Sequence, residues 1–306
     1  MKKICSILVL MALIVMPVNA AKKKKVVEKD PAGAKISIGV LTGGTNYDEV
    51  FQKLVDGKFT TCQLGLPAKA DQETANKLIE AQKKYNIRVT TIMCGAGHYE
   101  WNFIKGPKYN GLVPEEDVEP KMQHYKQAID FCQMAKVPAI HSHFGFIPED
   151  PLSAEYKMFI VRIKELGNYA KERGVSIYFE TGQETPITLI RTIKDAGTGN
   201  LFVNCDVANL ILYGKANPTD AIRMFGPLVK DLHIKDGTYP DRNDPDHLGH
   251  EKPIPEGDVD FPAIIKILKE EGYTGSLTIE YELGDRSKDY MEKTRLYLQN
   301  LLDSIY

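Results

Sequence analysis

From residue 36 onward one alternation recurs eight times: a short run rich in β-branched and aromatic residues, a polar turn, then a longer stretch of helical periodicity. The runs are ISIGVLTG (36–43), FTTCQLGL (59–66), RVTTIMCG (88–95), AIHSHFGF (139–146), VSIYFETG (175–182), LFVNCDVAN (201–209), LVKDLHIKD (228–236) and SLTIEYE (276–282). Helical patterns lie near 46–56, 71–85, 115–136, 151–173, 185–196, 218–225, 260–272 and 288–304. Gly174 and the EEGYTG stretch (270–275) act as stop signals, while Pro151 and Pro218 fall where first-turn prolines are tolerated. No Pro-, Gly- or Ser-rich linker interrupts the series. Eight βα units in about 270 residues predict an α/β fold with a single (β/α)8 TIM barrel over residues 35–306. A doubly wound open sheet would want a Gly-rich phosphate turn after the first strand, and LTGGTNYDE (41–49) lacks the GxGxxG spacing.

The first twenty residues follow a different logic. MKKICSILVLMALIVMPVNA has a basic start, an apolar run shorter than the roughly 20 residues of a spanning helix, and a small-residue end at Val18-Asn19-Ala20. It reads as a cleaved signal peptide (1–20) rather than an anchor, so the expected location is outside the cytoplasm, in the periplasm, with no stable membrane span after cleavage. A Lys-rich flexible linker (21–34) follows. Losing Lys2 and Lys3 takes the formal charge from −2 to −4. That acidic balance argues against a nucleic-acid backbone as the partner. Of the cysteines left after cleavage, Cys62, Cys94 and Cys205 fall in strand patterns, where cysteine behaves as a small hydrophobe. No disulfide framework is expected.

Chemistry in such a barrel sits where strands end. Side chains two apart share a face. This alternation groups Tyr178 with Glu180, Asn204 with Asp206, Asp231 with His233, and Thr278 with Glu280 and Glu282. Four successive strands thus carry a carboxylate or histidine toward the mouth, where an ordinary barrel interior would hold Val, Ile and Leu. Three carboxylates and an imidazole gathered together would repel unless a cation joined them. An O3N donor set suits Mn2+ foremost, with Mg2+, Co2+ and Zn2+ also open. The alternative is a network of ion pairs with Lys235 and arginines.

The order of YFETG, NCDVAN, DLHIKD and PEGDVDFPAIIKILKEEGYTGSLTIEYE resembles the xylose isomerase-like TIM-barrel family, in its sugar isomerase and epimerase branch. The resemblance implies metal ligands at Glu180, Asp206, His233 and Glu280, with Glu282 as a fallback for the last. It also implies that Glu180 and Glu280 are the catalytic acid/base pair, moving a proton through an enediolate. Two departures stand out: Asn209 occupies the place of a second histidine found in many members, and an arginine that some epimerases carry after the strand-seven histidine is absent, with Tyr239 nearby. A trinuclear nuclease site would need that histidine and several more.

Further expectations concern the rim. His143 reads as a substrate contact beside His141. His98 and Trp101, in CGAGHYEWN (94–102), read as caps on the site, Trp101 offering a flat apolar face to a sugar. Asn209 reads as a hydrogen-bonding partner for a substrate hydroxyl, and Lys235 as either a charge stabiliser or an ion-pair partner. Asp231 reads as structural and Asp236 as a loop organiser, while 241–258 reads as a loop over the mouth. Together these predict a metal-dependent sugar or keto-sugar isomerase or epimerase with a small-molecule sugar substrate, and a homo-oligomer is open. A lyase or dehydratase on a keto-sugar, and a non-catalytic carbohydrate-binding barrel, remain the alternatives.

Overall fold

In the computed structural model, which describes residues 36–244, 246–283 and 288–306, all eight expected strands form. The expected signal peptide and linker lie outside the described residues. The strands are β1 (Ser37–Thr42), β2 (Thr61–Gly65), β3 (Arg88–Met93), β4 (Ala139–Ser142), β5 (Ser176–Glu180), β6 (Leu201–Asp206), β7 (Val229–Ile234), the two-residue pair β8 (Asp236–Gly237) and β9 (Glu251–Lys252), and β10 (Ser276–Ile279). The helices are α1 (Tyr47–Asp56), α2 (Gln72–Tyr85), α3 (Gly106–Tyr109), α4 (Val118–Ala135), α5 (Ala154–Glu172), α6 (Pro186–Ala196), α7 (Val207–Leu212), α8 (Pro218–Phe225), α9 (Phe261–Glu270) and α10 (Lys288–Ile305).

The long strands are parallel and close in the order β1-β10-β7-β6-β5-β4-β3-β2. The chain is therefore a TIM barrel. Asn46, Asp71, Ser153, Thr185, Asp206, Asn217 and Asp260 each turn a side-chain oxygen back onto the first helical N–H groups that follow. Between strands and helices lies the apolar core, with Phe51, Leu78, Phe131, Phe159, Phe225 and Phe261 wholly buried. Truncating any of the phenylalanines to Ala would cost about 3–5 kcal/mol.

The barrel's inner face is unusually polar. Thr61 Oγ1 and Ser276 Oγ meet at 2.7 Å, Gln63 donates to Asn204 Oδ1 at 3.2 Å, and Thr278 donates to Asp231 Oδ1 at 2.9 Å. Gly39 makes the first of these layers possible, because a Cβ there would stand 2.5 Å from Thr61 Oγ1. The four cysteines 62, 94, 132 and 205 are buried as free thiols, Cys132 within α4.

Three local expectations need correction. LFVNCDVAN does not run as a strand to 209: β6 stops at Asp206, whose Oδ1 accepts the Asn209 N–H at 2.8 Å and so starts α7. Capping overrides the β-rich composition of the run. Pro151 lies outside α5, since Ser153 is the cap and accepts from the Tyr156 N–H. The loop after β3 also contains the short helix α3.

Candidate metal centre

Strand register brings the carboxylates and the histidine together. Asp206 at the end of β6 lies level with His233 on β7, and His233 lies level with Thr278 on β10. Glu280, two residues beyond Thr278, is anchored by its N–H donating to Ile234 O at 3.1 Å. Glu180 closes β5. One ligand-capable atom from each of Glu180, Asp206, His233 and Glu280 lies within 4.8 Å of the others, and all four residues are buried.

The imidazole sits at the centre. His233 Nε2 donates to Gln63 Oε1 at 2.6 Å, which turns Nδ1 toward the carboxylates. Nδ1 stands 3.1 Å from Glu180 Oε1, 3.1 Å from Glu280 Oε2 and 3.8 Å from Asp206 Oδ2. Burial opposes charge on His233, but Glu280 and Glu180 beside it raise its pKa well above the ordinary value. Burial also opposes charge on Glu180, and there the neighbouring His143 and His233 prevail, holding its carboxyl well below the usual range. Asp206 goes the other way: burial lifts it to about 6 against the pull of Lys235.

A divalent cation fits this set on two grounds. The donors are three hard oxygens and one imidazole nitrogen, a combination that suits such ions. In addition, Asp206 Oδ2 is fully buried and has no hydrogen-bond partner among the described residues. The nearest cationic atoms, His233 Nδ1 at 3.8 Å and Lys235 Nζ at 4.0 Å, stand beyond hydrogen-bond reach, and a buried carboxylate oxygen without a hydrogen bond is costly, so a cation among these donors would satisfy it.

Glu180 and Glu280 are flanked by different partners. On the Glu180 side, His143 Nε2 stands 3.4 Å and His141 Nε2 3.8 Å from the carboxylate. His141 is bonded to Thr91 Oγ1 at 2.6 Å, and burial pushes it down to about 3, so it is neutral. His143 Nδ1 meets Gln183 Oε1 at 3.0 Å. Trp101 stands edge-on to the His143 ring at 5.1 Å and stacks on Tyr99. Beyond them Glu184 is buried, and burial raises its carboxyl to about 8.

On the Glu280 side the partner is Lys235, which the sequence reading placed at the rim but which is only 3% exposed. Its Nζ lies 3.5 Å from Glu280 Oε2, 3.0 Å from Glu282 Oε2 and 4.0 Å from Asp206 Oδ2. Burial opposes its charge, yet Glu280 and Asp206 raise its pKa well above the ordinary value. The β8–β9 hairpin covers this side, and Glu251 of β9 accepts the Glu282 N–H at 2.9 Å. Asp236 accepts the N–H groups of Gly237, Gly257 and Val259 and so ties the 241–258 loop down.

The remaining expected residues divide. Asn209 is buried in the first turn of α7, with its backbone capped by Asp206. His98 is not brought to the cluster: its ring is exposed, pairs with Glu100 at 3.0 Å and meets Tyr109 edge-on. Asp231 belongs to the polar layer below, accepting from Thr278 and from the Leu232 N–H. Gln63, Gln183 and Glu184 were missed. The alternation that found Asp206 would also have found Gln63, which shares a face with Thr61. Gln183 and Glu184 sit in a loop, where no periodicity marks them.

The model of the family described as xylose isomerase-like TIM barrel matches residues 42–301. The chain belongs to that family. A solved xylose isomerase domain protein from Planctomyces limnophilus is 30% identical, with a TM-score of 0.80 over 89% of this chain and 98% of that one. A putative hydroxypyruvate isomerase of Homo sapiens is 25% identical over 228 residues, 69% of this chain and 76% of that protein. The 2-oxo-tetronate isomerase of Haemophilus influenzae is 26% identical over 220 residues, 68% and 78% respectively. Both of these curated relatives are named as isomerases, the first as a putative one. No helix among the described residues is long and apolar enough to cross a membrane.

Proposed function

We propose that the protein is a divalent-metal-dependent isomerase or epimerase of a sugar or keto-sugar, transferring a proton between Glu180 and Glu280 by way of an enediolate. The observation that carries the reading is the buried Glu180–Asp206–His233–Glu280 cluster, with Asp206 Oδ2 lacking any hydrogen among the described residues. A cation held by these four side chains, Mn2+ foremost, would polarise the substrate carbonyl and hydroxyl and lower the cost of losing the α-proton. One of Glu180 and Glu280 takes that proton as the carboxylate, and the other, carrying a proton drawn from the substrate hydroxyl or from water, returns one on the opposite face or at the neighbouring carbon. His143 and Lys235 flank the two glutamates from opposite sides. Gln63 fixes the orientation of His233.

Trp101 and His143 supply an apolar face and a polar edge for a sugar. Lys235, buried at the site, is already engaged by carboxylates, which among the described residues leaves it unavailable to a phosphate group. That favours an unphosphorylated substrate, as the export expected from the first twenty residues does.

The test is metal analysis of the purified protein, followed by incubation with keto-sugars and hydroxypyruvate in D2O. Expected are a stoichiometric divalent metal and deuterium at the α-carbon of an otherwise intact product, both lost after chelation. Release of water or an aglycone would turn the reading to a lyase. A metal-free protein indifferent to chelator would sink it.

A further inference from the structure

The ring of helices around the barrel is not evenly closed. Neighbouring helices such as α1 and α2, α8 and α9, and α9 and α10 pack against each other, but α10 and α1 hardly touch. Between them, over the outer face of β1, runs a groove of about 490 Å3. That size lies within the roughly 300–1,000 Å3 of small-molecule sites. Val50, Leu54, Phe59 and Met291 give it an apolar stretch, bordered by the charged Lys53, Asp56, Lys58, Glu292 and Arg295. None of the residues of the carboxylate cluster takes part.

One polar group in these walls has no structural explanation. Arg295, in the middle of α10, is only 7% exposed and lines the groove. Its Nε is buried without a hydrogen-bond partner, and its guanidinium makes no ion pair with any described residue. Asp56 and Glu292 also border the groove, yet neither pairs with it. Buried arginines are otherwise matched by carboxylates, phosphates or carbonyl oxygens, because their charge cannot be given up by losing a proton. Lys58, also on the groove wall and without an ion pair among the described residues, adds positive charge.

We propose that this groove binds a small carboxylate with an apolar tail, its head paired with Arg295 and its tail lying against Val50, Leu54, Phe59 and Met291. The planar guanidinium fork matches a carboxylate. The apolar stretch matches an aliphatic or aromatic body. The site is separate from the carboxylate cluster and does not depend on the function proposed for it.

Octanoate is the probe, titrated calorimetrically into the full purified chain, with octanol as the uncharged control. Wild-type protein binds octanoate saturably, and Arg295→Met weakens binding by about tenfold or more, while leaving octanol affinity unchanged. Met291→Trp, which fills the groove, weakens both. Because Arg295→Met removes a buried Nε–H that no described residue accepts, that variant melts at or above the wild-type temperature. Absence of saturable binding, or equal octanoate affinity in Arg295→Met, overturns the proposal. So does an Arg295→Met variant that melts below wild type, since Arg295 would then have a structural partner.

Discussion

The two glutamates at the mouth of the barrel stand equally far from His233, yet they live in different electrostatic surroundings. Glu180 faces two imidazoles, one of them neutral and the other part of a chain through Gln183. His141 stays neutral there, while on His143 burial opposes charge but Glu180 beside it prevails and raises its pKa above the ordinary value. Glu280 faces the ammonium of Lys235, whose charge is fixed by the carboxylates around it. Two residues of the same type thereby have different surroundings: one beside imidazoles, the other beside an ammonium whose charge its carboxylate neighbours hold. The difference comes from neighbours on β4 and at the end of β7 rather than from the glutamates themselves.

The sharpest way to break this comparison is to remove each glutamate's charge. On the proposed function, Glu180→Gln and Glu280→Gln should each lower turnover by at least about 10³-fold, since each would remove a proton carrier and a metal ligand together. Single-turnover assays with α-deuterated substrate check this. A variant that retained near-normal turnover would show that its flank takes no part.

Next comes the fixed charge. Lys235→Met leaves Glu280 and Asp206 facing each other without it, and should cost about 3–5 kcal/mol in denaturant unfolding of the chelated protein. His143→Gln, on the other flank, removes a partner that is less enclosed and should cost about 1 kcal/mol. Equal losses would erase the distinction between the flanks.

A subtler difference concerns pH. Glu184, on the imidazole flank, has its carboxyl raised by burial to about 8 from the ordinary 4.5. A raised acid favours the folded state while protonated. That stability is complete below the unfolded value and is lost as the pH climbs through the folded one. Glu184→Gln cannot ionise, so its melting temperature relative to wild type should rise steadily from about pH 5 to about pH 9. A flat difference across that range would mean Glu184 is ionised in the folded protein. The smallest effect expected is at Trp101, half exposed beside His143. Trp101→Ala should raise KM by about 3- to 10-fold with little change in kcat, as the loss of one aromatic face implies.

Period-two alternation made the barrel and its inner carboxylates legible in the sequence. Glu180, Asp206, His233 and Glu280 stand at strand ends, where a polar residue on an inward face has few packing explanations. Alternation fails where the backbone leaves the strand. Val207 to Leu212 reads as more strand because its residues are apolar, and only the Asp206 side chain, bent back onto the Asn209 N–H, turns it into a helix. Lys235 reads as a rim residue because nothing local buries it: the carboxylates that enclose it come from 45 and 47 residues further along the chain. His98 and Trp101 share one loop, so position alone could not show that only Trp101 would reach the imidazole flank.

The strand order has a consequence for how the molecule comes into being. β10 lies between β1 and β7, and Glu280 follows directly on it. A growing chain can therefore gather Glu180, Asp206 and His233 early, but the fourth donor arrives only when the last strand slots in beside the first. A cation that needs all four would bind the finished ring and not the open one, and would draw the equilibrium toward closure by mass action. In that light a cation held there would act as a clasp, joining the last barrel strand to the three strands that carry the other donors.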